Sequence, residues 1–249
     1  MEFAGKTALV TGSGAIGGLG HATAGVLAAG GADVILTGTD PERGAQVVKD
    51  LRAAGGETAG TVRFVAADVS DPAGVQQLVE DAGAVDILIN NASVMTFSPT
   101  TGQDLAGYDA AFAVNVRAPF LLTALLAERM AAGGGGSIVN VSSTAAGLGM
   151  PGMAVYGATK AALESLTRTW AAEFADSNVR VNAVSPGPMR TSKVVEAMGP
   201  DMGGMGLTTA LKRTSDPAEV AQVIAFLASD RASYMTGAIV AADGGRTAI

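Results

Sequence analysis

Short runs of β-branched and aliphatic residues alternate along this chain with longer stretches whose apolar positions recur three and four apart. The runs that read as strands are Thr7 to Thr11, Val34 to Gly38, Val62 to Ala66, Val85 to Asn90, Ser137 to Ser142, Val179 to Ala183 and Ala238 to Ala241. Helices are expected in the intervals. Asp40-Pro41, Asp71-Pro72 and Asp216-Pro217 each put an N-cap acid before a proline at the first helical position, and Glu219 is spaced to complete a capping box with Asp216. This order predicts an α/β fold, a doubly wound parallel sheet of about seven strands with helices on both faces. No repeat or linker interrupts it, so residues 1–249 are expected to form one domain. The glycines from Gly133 to Gly136 read as a helix-to-strand turn before Ser137.

Composition narrows the function. Hydrophobic residues make up 48% of the chain. Gly, Pro, Asp or Arg nevertheless breaks each apolar run before the roughly 20 residues that a membrane span requires, so no transmembrane helix is expected. The opening Met1-Glu2-Phe3-Ala4-Gly5-Lys6 leads directly into a strand and lacks the order of an export signal, which makes the cytoplasm the expected location. A net charge of -7 argues against a nucleic-acid partner, which clustered Lys and Arg would hold. With no cysteine and one histidine, disulfides, thiolate chemistry and His-rich or zinc-thiolate metal sites are excluded. His21 follows a glycine-rich turn and reads as a surface residue in a first helical turn rather than the base of a hydrolase.

That turn, Thr11-Gly12-Ser13-Gly14-Ala15-Ile16-Gly17-Gly18-Leu19-Gly20, joins the first strand to a helix ending near Ala29. Glycines let a backbone approach a pyrophosphate, and the helix start favours its negative charge. One register uses Gly12, Gly14 and Gly17. It would leave Gly18 and Gly20 in the first helical turn, where glycine costs about 1 kcal/mol each. The register using Gly12, Gly18 and Gly20 is preferred, with a clean helix from Ala22 to Ala29. A purely structural turn is the competing reading.

A second constellation lies in Tyr156-Gly157-Ala158-Thr159-Lys160. Helical spacing of four puts tyrosine and lysine on one face. A phenol titrates near 10 and is a poor base at neutrality, and a neighbouring ammonium favours the phenolate. Ser142-Ser143 ends the preceding strand, at the edge where ligands bind in open α/β sheets. Asn115 is an amide within an apolar helical pattern. Singly, each has a bland reading: a surface ion pair, or a serine closing a strand. Trp170, with Leu163, Leu166 and Phe174, reads as core or subunit interface.

Together these residues resemble the classical short-chain dehydrogenase/reductase family, from Lys6 to Asp243-Gly244-Gly245. The resemblance rests on the late Gly-x-Gly of the loop, Asp68-Val69, Asn90-Asn91-Ala92, Asn115, Ser143 thirteen residues before Tyr156, Lys160 four after it, and Pro186-Gly187 with Thr191. It implies a Rossmann-type fold and an NAD(P)-dependent oxidoreductase that moves a hydride between a nicotinamide and a secondary alcohol or ketone. By resemblance Tyr156 is the general acid/base and Lys160 lowers its pKa and holds the nicotinamide ribose. Ser143 orients the substrate oxygen and Asn115 anchors a water in a proton relay. The resemblance also implies cofactor contacts from Gly12, Gly18, Leu19, Gly20, Thr39, Asp68, Val69, Asn90, Ala92, Pro186, Gly187, Met189 and Thr191, a small-molecule alcohol or carbonyl substrate, and a homotetramer packed through the Tyr156 helix and its predecessor.

The chain departs from the family at several points. Five residues separate Gly12 from Gly18, where the family loop has three. Ser93 stands where the family usually has glycine, and its Cβ is expected to be tolerated near the adenosine ribose. The segment from Pro72 to Ala84 is shorter than usual. Gly38-Thr39 ends the second strand without an acid for the adenine ribose, and Asp40 reads as an N-cap; Arg43 lies one turn away. NADP(H) is therefore favoured over NAD(H). A stretch with Met198, Met202 and Met205 occupies the place of the family's substrate lid, around residues 191–215, and reads equally as filler of a surface gap. Two rival functions are a double-bond reductase of related fold, in which six residues rather than the three found here separate tyrosine and lysine, and a cofactor-sensing protein that has lost catalysis.

Overall fold

The computed structural model describes residues 1–56 and 59–249. Seven parallel strands, β1 (Thr7–Val10), β2 (Asp33–Gly38), β3 (Val62–Ala66), β4 (Ile87–Asn90), β5 (Gly136–Val141), β6 (Val179–Pro186) and β7 (Ile239–Ala242), form one sheet in the order β3-β2-β1-β4-β5-β6-β7. The strands between the edges are nearly free of exposed positions: all four residues of β4 and five of six in β5 are buried. Their continuous apolar runs reflect helices on both faces.

One face carries α1 (Leu19–Ala29), α2 (Pro41–Ala54) and α8 (Pro217–Ala228), whose Leu27, Val47, Leu51 and Ile224 pack with Val10, Leu36 and Ile89. The other carries α3 (Pro72–Ala82), α5 (Ala118–Ala132) and α6 (Ala154–Phe174), whose Leu78, Leu122, Leu126, Leu163 and Trp170 pack with Leu9, Leu88 and Ile138. Trp170 is thus core. The helix starts follow the predicted chemistry: Asp40 accepts from the Glu42 and Arg43 N–H groups, Asp71 from Ala73, and Glu219 accepts from the Asp216 N–H at 2.9 Å. The chain reverses direction across the sheet between β1 and β4, which opens a crevice at their carboxyl ends.

Two expectations shift. β6 continues from Ala183 to Pro186, because each of its last residues pairs with β7. The apolar character of α4 (Leu105–Phe112) and α5 is more continuous than the sequence suggested. Leu105–Ala132 forms one uninterrupted helical stretch, long and apolar enough by composition to cross a membrane. Here it lies in the protein layer, with Leu122, Leu126 and Met130 buried in the core. Arg117 and Arg129 donate to the carbonyls of Ser70 and Val79.

Candidate active site

The crevice begins with the loop after β1. Gly12 adopts a φ of +65°, and a Cβ there would stand 2.6 Å from Ala92 Cα. Gly20 leaves no room either, since a Cβ would come within 2.7 Å of Asn91 Nδ2 and 2.9 Å of Gly12 O. Glycine is thus required at Gly12 and Gly20, and also at Gly17, whose φ is +76°, whereas Gly18 keeps an ordinary backbone conformation. The helix itself starts earlier than expected, at Leu19 instead of Ala22, so Gly20 lies in its first turn. The propensity cost is accepted because close approach to the β4 loop leaves no space for a side chain.

This helix start fits a dinucleotide. Gly18 caps α1 without a side chain, the first turn holds no acid, and Ala22 is the first helical N–H to find a carbonyl within the helix, at Gly18 O. Free N–H groups and an uncompensated positive dipole end suit a pyrophosphate. The longer loop is accommodated by docking: Ser192 Oγ donates to Ile16 O at 2.9 Å, and its N–H to Gly17 O at 3.2 Å. The helix α7 (Ser192–Met198) is thereby tied to the loop, with Thr191 as its N-cap. Met202, which follows α7, is 1% exposed, whereas Met198 is exposed.

The β4 loop is fixed from both sides. Thr11 Oγ1 accepts from the N–H groups of Asn91 and Ala92, each at 3.0 Å, and Asn91 Nδ2 donates to Thr11 O and Gly12 O. The direct bonds to the glycine loop thus come from Asn91 and Ala92. Asn90 points the other way, donating to Asn140 Oδ1 at 2.8 Å, and Asn140 in turn donates to Thr167. Asp68 is exposed and accepts from the Ser70 N–H, with the half-buried Val69 between them. Across the crevice, Gly187 packs so tightly on Asp243 that a Cβ would lie 2.8 Å from its Cα, and Met189 bridges Ser215. Thr39 and Arg43 are exposed, while Asp40 Oδ1 is held by its capping bonds.

Asn115, Ser143, Tyr156 and Lys160 lie on the segments that follow β4 and β5. Residues 113–117 widen into a π turn between α4 and α5, and Asn115 there is fully buried. Its Oδ1 accepts from the Val94 N–H at 2.8 Å, and its Nδ2 donates to Val94 O and to Thr159 Oγ1. Thr159 donates in turn to Tyr156 O at 2.7 Å. The serine pair divides: Ser142 donates to Glu164, and the Ser143 Oγ accepts from the Ala145 N–H at 3.2 Å.

Lys160 is 1% exposed and its Nζ donates to Val141 O at 2.8 Å, which occupies one of three N–H donors. The same nitrogen stands 5.6 Å from the Tyr156 ring centroid. Burial lowers the lysine to about 8. Burial also raises the phenol above its ordinary value, against a lowering pull from the hydroxyls of Ser143 and Ser93. The protein alone therefore presents a neutral phenol, the reverse of the shift expected from lysine proximity, because burial outweighs the hydroxyl contributions.

Sequence reasoning overlooked Thr11, Asn91 and Thr159. Their signal was weak: each is a short polar residue beside a singled-out position, and its partner lies on another segment.

A twisted parallel sheet with a glycine-lined helix start at its switch point and a Ser-Tyr-Lys cluster beside it defines a dinucleotide-dependent oxidoreductase. Comparison with known proteins makes this specific. The family described as Enoyl-(Acyl carrier protein) reductase matches residues 14–247. A curated relative, the cyclopentanol dehydrogenase of Comamonas sp., is 37% identical, with 98% of this chain and 97% of that protein covered. A solved short chain dehydrogenase/reductase family protein is 48% identical over the whole of both chains, with a TM-score of 0.92. A blue fluorescent protein from a metagenomic library, solved in complex with NADPH, is 34% identical over 99% of each chain, with a TM-score of 0.88. The chain belongs to the short-chain dehydrogenase/reductase family. It is an NAD(P)-dependent oxidoreductase that moves a hydride between a nicotinamide and a secondary alcohol or ketone.

Proposed function

We propose that this enzyme interconverts an apolar secondary alcohol and its ketone, using NADP(H) in preference to NAD(H), with Tyr156 as the proton-transferring group. The observation that carries the reading is the Ser143, Tyr156 and Lys160 cluster, in which a buried ammonium lies 5.6 Å from a phenol ring. A nicotinamide supplies or accepts the hydride, so the proton at the substrate oxygen has to come from the protein. The neutral phenol of Tyr156 is a competent donor to a developing alkoxide. Ser143 donates a hydrogen bond to the same oxygen and orients it. Lys160 uses the N–H donors left over from Val141 to hold the nicotinamide ribose, and its charge favours the phenolate in the oxidative direction. Asn115 braces the turn that carries a relay water.

For the dinucleotide, Gly12, Gly18, Leu19 and Gly20 receive the pyrophosphate. Asp68 and Val69 flank the adenine, Ala92 backs the adenosine side, and Asn90, bonded to Asn140, supports the cofactor loop. Pro186, Gly187, Met189 and Thr191 receive the carboxamide. The exposed Thr39 and Arg43 suit a 2'-phosphate, and Asp40 turns its carboxylate to the Glu42 and Arg43 N–H groups of α2 rather than toward a ribose. The NADPH complex of the blue fluorescent protein supports that choice. Residues 191–215 act as a substrate lid.

Met95, Phe97 and Met198 are exposed apolar side chains on the segments around the crevice, which favours a hydrocarbon-rich substrate. The name of the Comamonas relative, an alicyclic alcohol dehydrogenase, supports this class. The matched family description names an enoyl reductase. The spacing of four between Tyr156 and Lys160 favours carbonyl chemistry instead. Exposed Leu105, Tyr108 and Phe120 on α4 and α5 support assembly into a homotetramer through that side. The test is consumption of NADPH and NADH against a panel of cyclic and open-chain ketones and enoyl thioesters. Ketone-dependent oxidation faster with NADPH is expected; activity on enoyl thioesters alone, or cofactor binding with no turnover on any substrate, rejects the reading.

A further inference from the structure

Two loops that leave the sheet at distant strands are fastened to each other beyond its carboxyl edge. In the order β3-β2-β1-β4-β5-β6-β7, β1 and β6 stand three places apart, about 14 Å at ordinary strand spacing. They share no neighbour. Ser192, at the start of α7, nevertheless reaches the loop after β1 twice: its hydroxyl donates to Ile16 O at 2.9 Å and its N–H to Gly17 O at 3.2 Å. Gly17 is shaped for this meeting, since its φ is +76° and a Cβ there would stand 3.2 Å from the Ser192 Cβ. Both partners are held from behind. The Gly18 N–H donates to Ala15 O at 3.3 Å, and the Arg190 N–H donates to Ser215 O at 2.8 Å. The two loops therefore bridge the span that the carboxyl ends of β4 and β5 leave between them, at the edge of the sheet where the crevice opens.

We propose that Ser192 is a positioning residue for the dinucleotide, the clasp of a strap that joins the glycine loop to the segment after β6 and has to part for the cofactor to enter or leave. This rests on the dinucleotide being held by Gly12 to Gly20 and by Pro186 to Thr191. Ile16 and Gly17 lie between Gly12 and Gly18, and Ser192 directly follows Thr191, so the clasp joins those two stretches to each other. It is separable from the rest of the fold. Ile16 and Gly17 contribute only carbonyls, the Ile16 side chain is exposed, and α7 is capped by Thr191, whose Oγ1 accepts from the Val194 N–H at 3.3 Å. Neither bond of the clasp uses a cofactor atom, so the two resist opening of the free and of the loaded enzyme alike. Loosening them speeds entry and exit together and leaves the affinity nearly unchanged, because an interaction equal in both states shifts neither.

The experiment is stopped-flow fluorescence of NADPH, with NADH in parallel, binding to and displaced from wild type, Ser192→Ala, Ser192→Pro and Ser192→Thr. Proline suits the first position of α7, follows an extended Thr191 and removes both donors without breaking the helix. In Ser192→Ala the association and dissociation rate constants are each expected to rise about two- to tenfold, the worth of one neutral hydrogen bond, with Kd within about twofold of wild type. Ser192→Pro should exceed both rates, and Ser192→Thr should restore those of wild type. Amide exchange measured without cofactor is expected to quicken across residues 14–18 in the Ala and Pro variants. Unchanged rates in both of these variants overturn the clasp. Faster dissociation with unchanged association overturns it as well and makes Ser192 a direct ligand of the cofactor. Failure of wild type to bind either dinucleotide defeats the underlying reading of the glycine loop instead.

Discussion

Replacing Lys160 by methionine removes the one ammonium buried completely in the core of this site, and its effect on stability can be worked out. Burial lowers the lysine from 10.5 to about 8, a difference of about 2.5 units. At 1.36 kcal/mol per unit, holding this group charged in the folded protein costs about 3 kcal/mol. The folded-state value is depressed and the group is a base. Between about pH 8 and 10.5 the unfolded chain therefore binds more protons than the folded one, and stability rises with pH. Below about pH 8 the whole cost is present. Tyr156 does not confuse the window, since burial places its titration above 10.0. Urea unfolding without cofactor, at fixed protein concentration, should show wild type gaining about 2 kcal/mol on Lys160→Met between about pH 7 and about pH 9.5. Parallel stability curves for the two proteins would refute the argument that this lysine is desolvated, and with it the account of the raised phenol.

Other consequences are independent of that titration. Gly20→Ala brings a methyl to 2.7 Å from Asn91 Nδ2, so NADPH affinity by fluorescence titration should fall at least about tenfold, with a stability loss on the order of 1–3 kcal/mol. Asn115→Ala removes the amide that grips Val94 and Thr159. Its fully buried site predicts a loss of about 2–4 kcal/mol in urea unfolding. Arg43→Ala should raise KM for NADPH several-fold and leave KM for NADH unchanged. Asp40→Ala should lower stability by about 1 kcal/mol through the lost cap without impairing use of NADH. A selective loss of NADH activity in that variant would show Asp40 to be a ribose ligand.

What could be read from the chain and what could not divides along a physical line. Strand positions were legible because burial on both faces leaves an uninterrupted apolar run, as in Ile87 to Ile89, and helix starts because Asp-Pro pairs act locally. The Tyr156 and Lys160 pairing was legible because one helix fixes its spacing. Bonds between distant segments were not. Thr159 joins Asn115 across 44 residues, and Asn91 joins the glycine loop across about 80. No local periodicity encodes either. The docking of Ser192 on Ile16, which accommodates the enlarged loop, spans 176 residues and is equally silent in sequence. The direction of the Tyr156 shift escaped for a related reason: spacing reveals the lysine beside the phenol, whereas the desolvation of both follows from packing.

The central claim is that Tyr156 moves the proton that accompanies hydride transfer. The most direct measurement is single-turnover oxidation of NADPH by a ketone substrate in wild type and Tyr156→Phe, with cofactor binding followed in parallel. The account predicts NADPH affinity within about threefold of wild type and a hydride-transfer rate lower by about 10²–10⁴-fold. A rate within a few-fold of wild type, with the cofactor bound normally, would contradict it.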